Sequence, residues 1–399
     1  MPSNAKQAFV MIRANLFSLP RRISISASMV LSVALVVCVL AGFLAMARGF
    51  ETALQSAGSG SVAVVLGGGT NQETGSDVPA SVIRTLSAMI DDIGVARDTN
   101  GMLIFSREIV VAVDAKSNGS EESRTLALRG MDLSGPSIRD HIALSTGRLF
   151  TPGSREIVVG DRLAHQFGIS LGSTVRLGTV DWMVVGLFSA RGSAFESEIW
   201  ADLDAVRSAF DRQGQVQSLR MRLSNPALLP QLQAKLDTIR TTPLRAVVEA
   251  DLYVAQSART ASLIRLFGWP LALLMAVGAT AGALNTMMNS VSDRTVEIVT
   301  VRALGFSRIS AFLGTWVEAI VLAAVGMAVG LLASWLAFNG WQASTVGTNG
   351  ARMAFQLSVT GDVMAEAGLL GLAIGILGGA LPATVASRLP LTAALRSSG

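Results

Sequence analysis

The chain is short of lysine, histidine and cysteine, and each shortage removes a class of chemistry. Its 399 residues include only three lysines, Lys6, Lys116 and Lys235. None closes a G-x-x-x-x-G-K-[ST] run, so no P-loop can cradle a nucleotide phosphate and the chain reads as a non-enzyme that leaves ATP hydrolysis to a partner. The two histidines, His141 and His165, have no cysteine near them, which removes the spacing of a zinc site. A single cysteine, Cys38, excludes internal disulfides and reads as a small hydrophobe. No Ser/His/Asp or Cys/His set can be assembled. The two nearby acids in Phe195-Glu196-Ser197-Glu198 read as a solvated loop rather than a catalytic pair. The net charge of +4 comes from arginine, and no basic stripe interleaved with aromatics marks a nucleic-acid partner.

Hydrophobic residues make up half of the chain, and the mean hydropathy is +0.50. Four windows are nearly free of charge: 23–47, 266–292, 309–339 and 367–387. Each reaches the roughly 20 residues that cross a hydrocarbon core of about 30 Å. Unbroken apolar runs of this length read as helices. Lys6, Arg13, Arg21 and Arg22 precede the first span. Arg294, Arg302 and Arg308 lie between the second and third, and Arg388 and Arg396 follow the fourth, whereas the loop between the third and fourth carries only Arg352. The positive-inside rule then places both termini and the 293–308 loop in the cytoplasm and 48–260 outside. The first span exceeds the roughly 7–15 residues of a signal-peptide core and reads as an uncleaved anchor.

The expected fold is therefore membrane α-helical, with four transmembrane helices and a large α+β extracytoplasmic domain inserted between helices 1 and 2. Residues 1–22 form a cytoplasmic amphipathic segment, with Phe9, Ile12 and Leu16 on one face and Pro20 ending it. The transmembrane helices occupy 23–47, 261–292, 309–339 and 363–387. The domain with its stalks fills 48–260, a cytoplasmic helix 293–308, an extracytoplasmic loop 340–362 and a cytoplasmic tail 388–399. Inside the domain, strands are expected at 107–113, 124–131, 156–160, 174–177, 181–188 and 218–224. The last alternates strictly, with Leu219, Met221 and Leu223 on one face and Arg220 and Arg222 on the other. Helices are expected at 79–92, 161–167, 202–212 and 226–240, with Pro79 and Pro226 in first-turn positions. Gly67-Gly68-Gly69 and 117–120 read as loops. Residues 47–56 and 252–266 read as helical stalks, and Gly268 and Pro270 beside Trp269 as a bend at the outer membrane boundary.

Between the second and third spans runs Val291-Ser292-Asp293-Arg294-Thr295-Val296-Glu297-Ile298, ending in Arg302-Ala303-Leu304-Gly305. Near the C-terminus stand Gly378-Gly379-Ala380-Leu381-Pro382-Ala383 and Pro390-Leu391-Thr392-Ala393-Ala394-Leu395-Arg396. Together these patterns resemble the FtsX-like permease family of ABC transporters, the group that includes MacB and the lipoprotein-release permeases. Gly147-Arg148-Leu149-Phe150 followed by Glu156-Ile157-Val158-Val159-Gly160 more loosely resembles the periplasmic core domain of MacB-type permeases.

The resemblance implies that 293–305 is a coupling helix seated in a groove of the ATPase. Val291, Ile298 and Val301 would be its apolar knobs, and Arg294, Glu297 and Arg302 the charges that fix register. Gly305 would cap it. Glu318, about 13 Å into the third span, is costly in hydrocarbon and reads as a polar lock between helices or protomers. Gly278 and Gly282, Gly326 and Gly330, and Gly371, Gly375 and Gly379 recur at four-residue spacing, which lets helix backbones approach closely within one chain or between two.

The implied partners are a cytoplasmic ABC ATPase subunit, a second permease copy or paralogue, and a periplasmic adaptor or other extracytoplasmic protein. This chain would bind no cofactor, while ATP and magnesium sit on the ATPase. The implied role is mechanotransmission in the cytoplasmic (inner) membrane, for export or extraction of a lipoprotein, lipid, peptide or drug-like substrate. Two alternatives stay open: an FtsX-like regulator that activates an extracytoplasmic cell-wall hydrolase, and a membrane-anchored sensor.

Overall fold

The structure is a computed structural model that describes residues 4–19, 23–89, 93–116, 123–346 and 351–390. In chain order it contains α1 (Asn4–Ser18), α2 (Ile23–Gln55), β1 (Val62–Gly67), α3 (Ala80–Ser87), β2 (Phe105–Lys116) and β3 (Ser123–Met131). There follow α4 (Gly135–Ile138), β4 (Ala143–Gly147), β5 (Glu156–Gly160), α5 (Asp161–Phe167), β6 (Thr174–Leu177) and β7 (Val180–Ser189). Next come β8 (Glu198–Asp202), α6 (Leu203–Ala209), β9 (Ser218–Arg222), α7 (Leu229–Leu236) and β10 (Leu244–Val248). The chain closes with α8 (Glu249–Asp293), α9 (Thr295–Ala303), α10 (Arg308–Phe338), β11 (Gln342–Val346), β12 (Arg352–Gln356) and α11 (Gly361–Arg388). Two compact units result, one of Met1–Arg48, Ser262–Trp341 and Leu357–Gly399, the other of Gly49–Ala261 and Gln342–Gln356.

In the helical unit, α2, α8, α10 and α11 are long and apolar enough to cross a membrane. Small residues set how closely they pack. A Cβ added at Gly326 or Gly330 of α10 would lie 2.7 Å from the Val30 carbonyl oxygen or 2.6 Å from that of Ala34, both on α2. Gly375 and Gly379 of α11 press on Ala323 and Ala319 of α10, and Gly371 on Val37 of α2. Gly278 and Gly282 of α8 meet nothing within 4 Å among the described residues, so their face is open there. Gly268 and Pro270 lie inside α8 and do not end it. A Cβ at Gly268 would lie 2.7 Å from the Phe43 Cβ, so this glycine serves close contact with α2.

Helix α1 packs along α10 through Gln7, Ala8, Met11 and Asn15. Phe9 is exposed and Ile12 and Leu16 are half-buried, so the expected apolar face is turned away from the contact with α10. Pro20, Arg21 and Arg22 lie outside the described residues, as do the 117–120 loop and the 391–399 part of the tail, including Arg396.

The other unit is built on a ten-stranded sheet in the order β10-β1-β9-β2-β3-β8-β5-β7-β4, with β6 paired to β7. The six expected strands are present. Strands β1, β4, β8 and β10 and the β11–β12 hairpin were not expected, and Gly67 closes β1 instead of opening a loop. The expected helices are shorter than drawn: α3 stops at Ser87, and 226–240 resolves into a three-ten turn followed by α7. At the start of α6 the Asp202 carboxylate accepts the N–H groups of Asp204 and Ala205, an N-cap.

One sheet face is apolar. Leu128, Ile157, Trp182 and Ile199 pack with Phe167 of α5 in one cluster, and Leu219 and Met221 with Val82 and Leu232 in a second. The hairpin belongs to this unit although the sequence placed it in a simple loop. Its Phe355 is fully buried edge-on to Phe50, with ring centroids 5.6 Å apart. The Ser197 hydroxyl accepts the Ala354 N–H at 3.1 Å and donates to the Ala354 carbonyl at 3.2 Å.

Candidate functional site

Two polar centres carry the chain's unusual chemistry, one in each unit. In the helical unit, α8 stops at Asp293 because Arg294 (φ −107°, ψ 10°) leaves helical geometry and turns the chain into α9. Gly305 (φ +97°) ends the segment in a conformation that a side chain disfavours, and its N–H donates to the Arg302 carbonyl, as expected for a cap.

The side chain of Arg294 turns back into the bundle. Its Nη1 donates to Glu318 Oε2 on α10 at 2.8 Å and its Nη2 to Asn15 Oδ1 on α1 at 2.6 Å. Glu318 is thereby paired as well as buried, which is what a carboxylate in an apolar span requires. Arg302 donates to the Leu389 carbonyl at the end of α11. Val291 and Ile298 are buried with Met11, Ala311 and Ala386, and Val301 packs against them.

The expected knobs Val291, Ile298 and Val301, and the expected contact charges Arg294 and Arg302, therefore face inward. The exposed stripe of α9 is Val296, Thr300 and Leu304 at four-residue spacing, with Glu297 beside it. Leu304 is 77% exposed and Val296 49%. Asn15 was not anticipated. It lies 279 residues from Arg294 in sequence, and no local pattern pairs the two.

The second centre lies on the sheet face opposite the apolar clusters. The neighbouring strands β9, β2, β3 and β8 contribute Arg220, Glu108, Arg129 and Glu198, so charge alternates across the sheet. Register explains the contact. Glu108 stands opposite Ser218 and Met131, and Ala127 opposite Glu198, so each charge sits one diagonal step from the next. Arg129 Nη1 reaches Glu108 Oε2 at 3.0 Å, its Nη2 reaches Glu198 Oε1 at 2.7 Å, and Arg220 Nη1 also bonds Glu108.

Four further groups close the cluster. Arg139 bonds both Glu108 oxygens, at 2.8 and 2.6 Å, and stacks over the rings of Phe195 and Trp200. Glu73 bridges Arg220 at 2.7 Å and Arg129 at 3.1 Å. From the first two turns of α8, Glu249 Oε1 accepts from Arg220 Nε at 2.7 Å and the Tyr253 hydroxyl accepts from its Nη2 at 3.0 Å. The cluster thus bolts α8 to the middle of the sheet.

The Phe195–Glu198 stretch is not a solvated loop. Residues 194–197 form a buried three-ten turn, Glu196 accepts the N–H groups of Ala190 and Gly192, and Glu198 opens β8 inside the cluster.

Burial pushes the Glu108 carboxyl up, but the guanidinium groups of Arg139, Arg220 and Arg129 outweigh burial and bring it down to about 2. Burial opposes ionisation of Glu73 too, and Arg129 and Arg220 hold its carboxyl well below the usual range. Depressed carboxylates stabilise the fold above their unfolded values of roughly 4.3 and lose that contribution as pH falls toward the folded value. Stability of the purified chain should therefore be flat in these groups from pH 8 to about 5 and fall steeply between about 4 and 2. Thermal unfolding across that range checks this. A steep loss already between pH 7 and 5 would show that the cluster is not ionised as drawn.

Comparison with known proteins assigns two successive parts of the chain. Residues 26–239 match the MacB-like periplasmic core domain, and residues 269–391 match the FtsX-like permease C-terminal domain. Among curated relatives, the macrolide export ATP-binding/permease protein MacB of Rhodopseudomonas palustris is 25% identical over 278 residues, covering 63% of this chain and 40% of the relative. That of Nitrobacter winogradskyi is 29% identical over 281 residues, covering 63% and 41%. The chain therefore spans about two fifths of the length of the relatives it matches. Among solved structures, the periplasmic region of MacB from Actinobacillus actinomycetemcomitans aligns with a TM-score of 0.39 at 14% identity, covering 50% of this chain and 92% of that one. With one matched domain covering more than half of the chain and the other most of its C-terminal helices, the chain belongs to the FtsX-like permeases that carry a MacB-like periplasmic core domain.

Proposed function

We propose that this chain is the permease subunit of an ABC transporter. It couples ATP hydrolysis by a separate ATPase to movement of its extracytoplasmic domain, for export or extraction of a lipoprotein, lipid, peptide or drug-like substrate. ATP and magnesium belong to that ATPase. The observation that carries the reading is the two-sided build of α9. Its inner side is fixed to the helical unit through Arg294, Ile298 and Arg302, while Val296 and Leu304 stand exposed on a stripe with no packing partner among the described residues. An apolar pair flanked by Glu297 suits the floor of a groove on a partner protein.

The test is Val296→Asp and Leu304→Asp, separately and together, in a complex copurified with its ATPase. Each should weaken ATPase binding by roughly 10–100-fold while the chain still inserts and elutes as a single species. Arg302→Glu instead removes the bond to Leu389 and should lower stability. Undiminished ATPase binding by the double variant would remove this surface from the mechanism.

In this reading the termini and α9 face the cytoplasm of a cytoplasmic-membrane protein, and the domain faces outward. A second permease copy or paralogue completes the transporter, and the open Gly278/Gly282 face of α8 suits close approach by another helix. With Cys38 replaced by serine, Gln213→Cys should react with an impermeant maleimide on intact cells, and Val296→Cys only after permeabilisation. The reverse pattern would invert the orientation.

A further inference from the structure

Helix α1 touches the α9 segment at both of its ends. At the start, Asn15 Oδ1 accepts from the Arg294 guanidinium at 2.6 Å. At the exit, Gln7 Oε1 accepts the Ser307 N–H at 3.0 Å. Ser307 is itself the N-cap of α10, its hydroxyl accepting the Ser310 N–H at 3.2 Å. Between these points Met11 packs against Val291 and Ile298. The close approach depends on Gly314 of α10, where a Cβ would lie 3.0 Å from Met11 Cγ and 3.1 Å from Asn15 Nδ2. Gln7 and Asn15 are eight residues apart on one helix, a span of about 12 Å.

The contact points coincide with the weak points of the segment. Helix α9 is nine residues long and is joined to α8 through the non-helical Arg294 and to α10 through the turn at 304–307. A load applied to its outer stripe would first bend those two joints. Each joint is bonded to α1, and the first is also bonded to Glu318 of α10.

We propose that α1 is a splint for the coupling segment. By holding Arg294 through Asn15 and Ser307 through Gln7, it makes α9 and α10 move as one body when the ATPase pushes on Val296 and Leu304. The inference rests on the proposed docking of an ATPase there. Asn15 and Gln7 are positioning residues: they touch neither the nucleotide nor the ATPase, and they act through the backbone and guanidinium that they hold.

The experiment uses the full chain with its copurified ATPase and Cys38 replaced by serine. A fluorophore on Leu336→Cys, at an exposed position near the far end of α10, reports the response to ATP. Asn15→Leu and Gln7→Leu remove the acceptors, whereas Asn15→Asp and Gln7→Glu keep an acceptor oxygen in place. Both leucine variants should bind the ATPase with unchanged affinity, yet the ATP-driven signal at position 336 should fall by about five-fold or more. The acidic variants should keep that signal. An undiminished signal in the leucine variants would overturn the splint. Weakened ATPase binding in them would overturn it too, by making α1 part of the docking surface. Should Asn15→Leu fail to insert, Gln7→Leu against Gln7→Glu decides the matter at the other joint. Normal ATPase binding by the Val296→Asp/Leu304→Asp double variant would locate the failure in the docking assignment, whatever the state of the splint.

Discussion

Breaking α8 between the sheet and the membrane-spanning part, with Ala258→Gly and Arg259→Pro together, should leave ATP hydrolysis running and abolish the response of the external domain to it. Helix α8 runs without interruption from Glu249 to Asp293, so it joins the charge cluster at one end to the turn at Arg294 at the other. Ala258 and Arg259 are exposed, while Ser257 and Ala261 are buried, so the double change acts on the backbone and removes little packing. Proline at 259 removes one main-chain donor, and its ring collides with the carbonyl four residues earlier, at a cost of roughly 3 kcal/mol or more. Helix α9 is untouched, so the ATPase should bind and turn over normally. The measurement pairs the ATPase rate of the purified complex with the ATP-driven signal of a fluorophore on Gln213→Cys. A full signal from the broken helix would make the external domain a passive docking platform, and mechanotransmission would have to be dropped.

Arg220→Met should be the most destabilising single change in the sheet domain. Arg220 is fully buried and bonds Glu73, Glu108, Glu249 and Tyr253. Removing it leaves carboxylates facing one another without their shared cation. Breaking a buried ion pair from one side costs roughly 3–5 kcal/mol, a large share of the roughly 5–15 kcal/mol that holds a domain folded. It also unfastens the first turns of α8 from β9. Arg222, two residues on, pairs with Asp140 while about a third of its side chain remains in solvent. Arg222→Met should therefore cost no more than about 1 kcal/mol. Denaturant unfolding of the detergent-solubilised variants compares the two. Equal losses would mean that the buried cluster contributes no more than a surface pair.

How far the sequence could be read depended on whether a segment carries its own signal. The four spans were legible because a charge-free run of some 20 residues matches the thickness of a bilayer core and little else. Their helical continuations were legible too: the expected stalks at 47–56 and 252–266 correspond to the end of α2 at Gln55 and the start of α8 at Glu249. Strand β1 is Val-Ala-Val-Val-Leu-Gly, buried at every position, so it lacks the alternation that reveals a half-buried strand. The alternation of 218–224 was visible, but one strand cannot tell whether its polar face meets water or the charges of its neighbours. Only the pairing of β9, β2, β3 and β8 brings Arg220, Glu108, Arg129 and Glu198 together. In the segment at 293–305 the short helix was legible and its facing was not. Apolar residues lie on both sides of α9, and the side that packs is decided by Met11, Ala311 and Ala386, which come from three other helices.

The β11–β12 hairpin has a consequence for how the protein is made. The external domain's sheet is complete in sequence at Val248, yet Phe355, Ala351 and the backbone of Ala354, which cover Phe50, Val110 and Ser197, come only after α8 and α10. At roughly 5–20 residues per second the ribosome needs about 5–20 s to pass from 249 to 341. During that interval the domain waits with an uncovered apolar patch. If the domain faces outward as proposed, its last piece can reach it only after the second and third spans have entered the membrane, so completion of the domain depends on insertion of the helices that precede the hairpin.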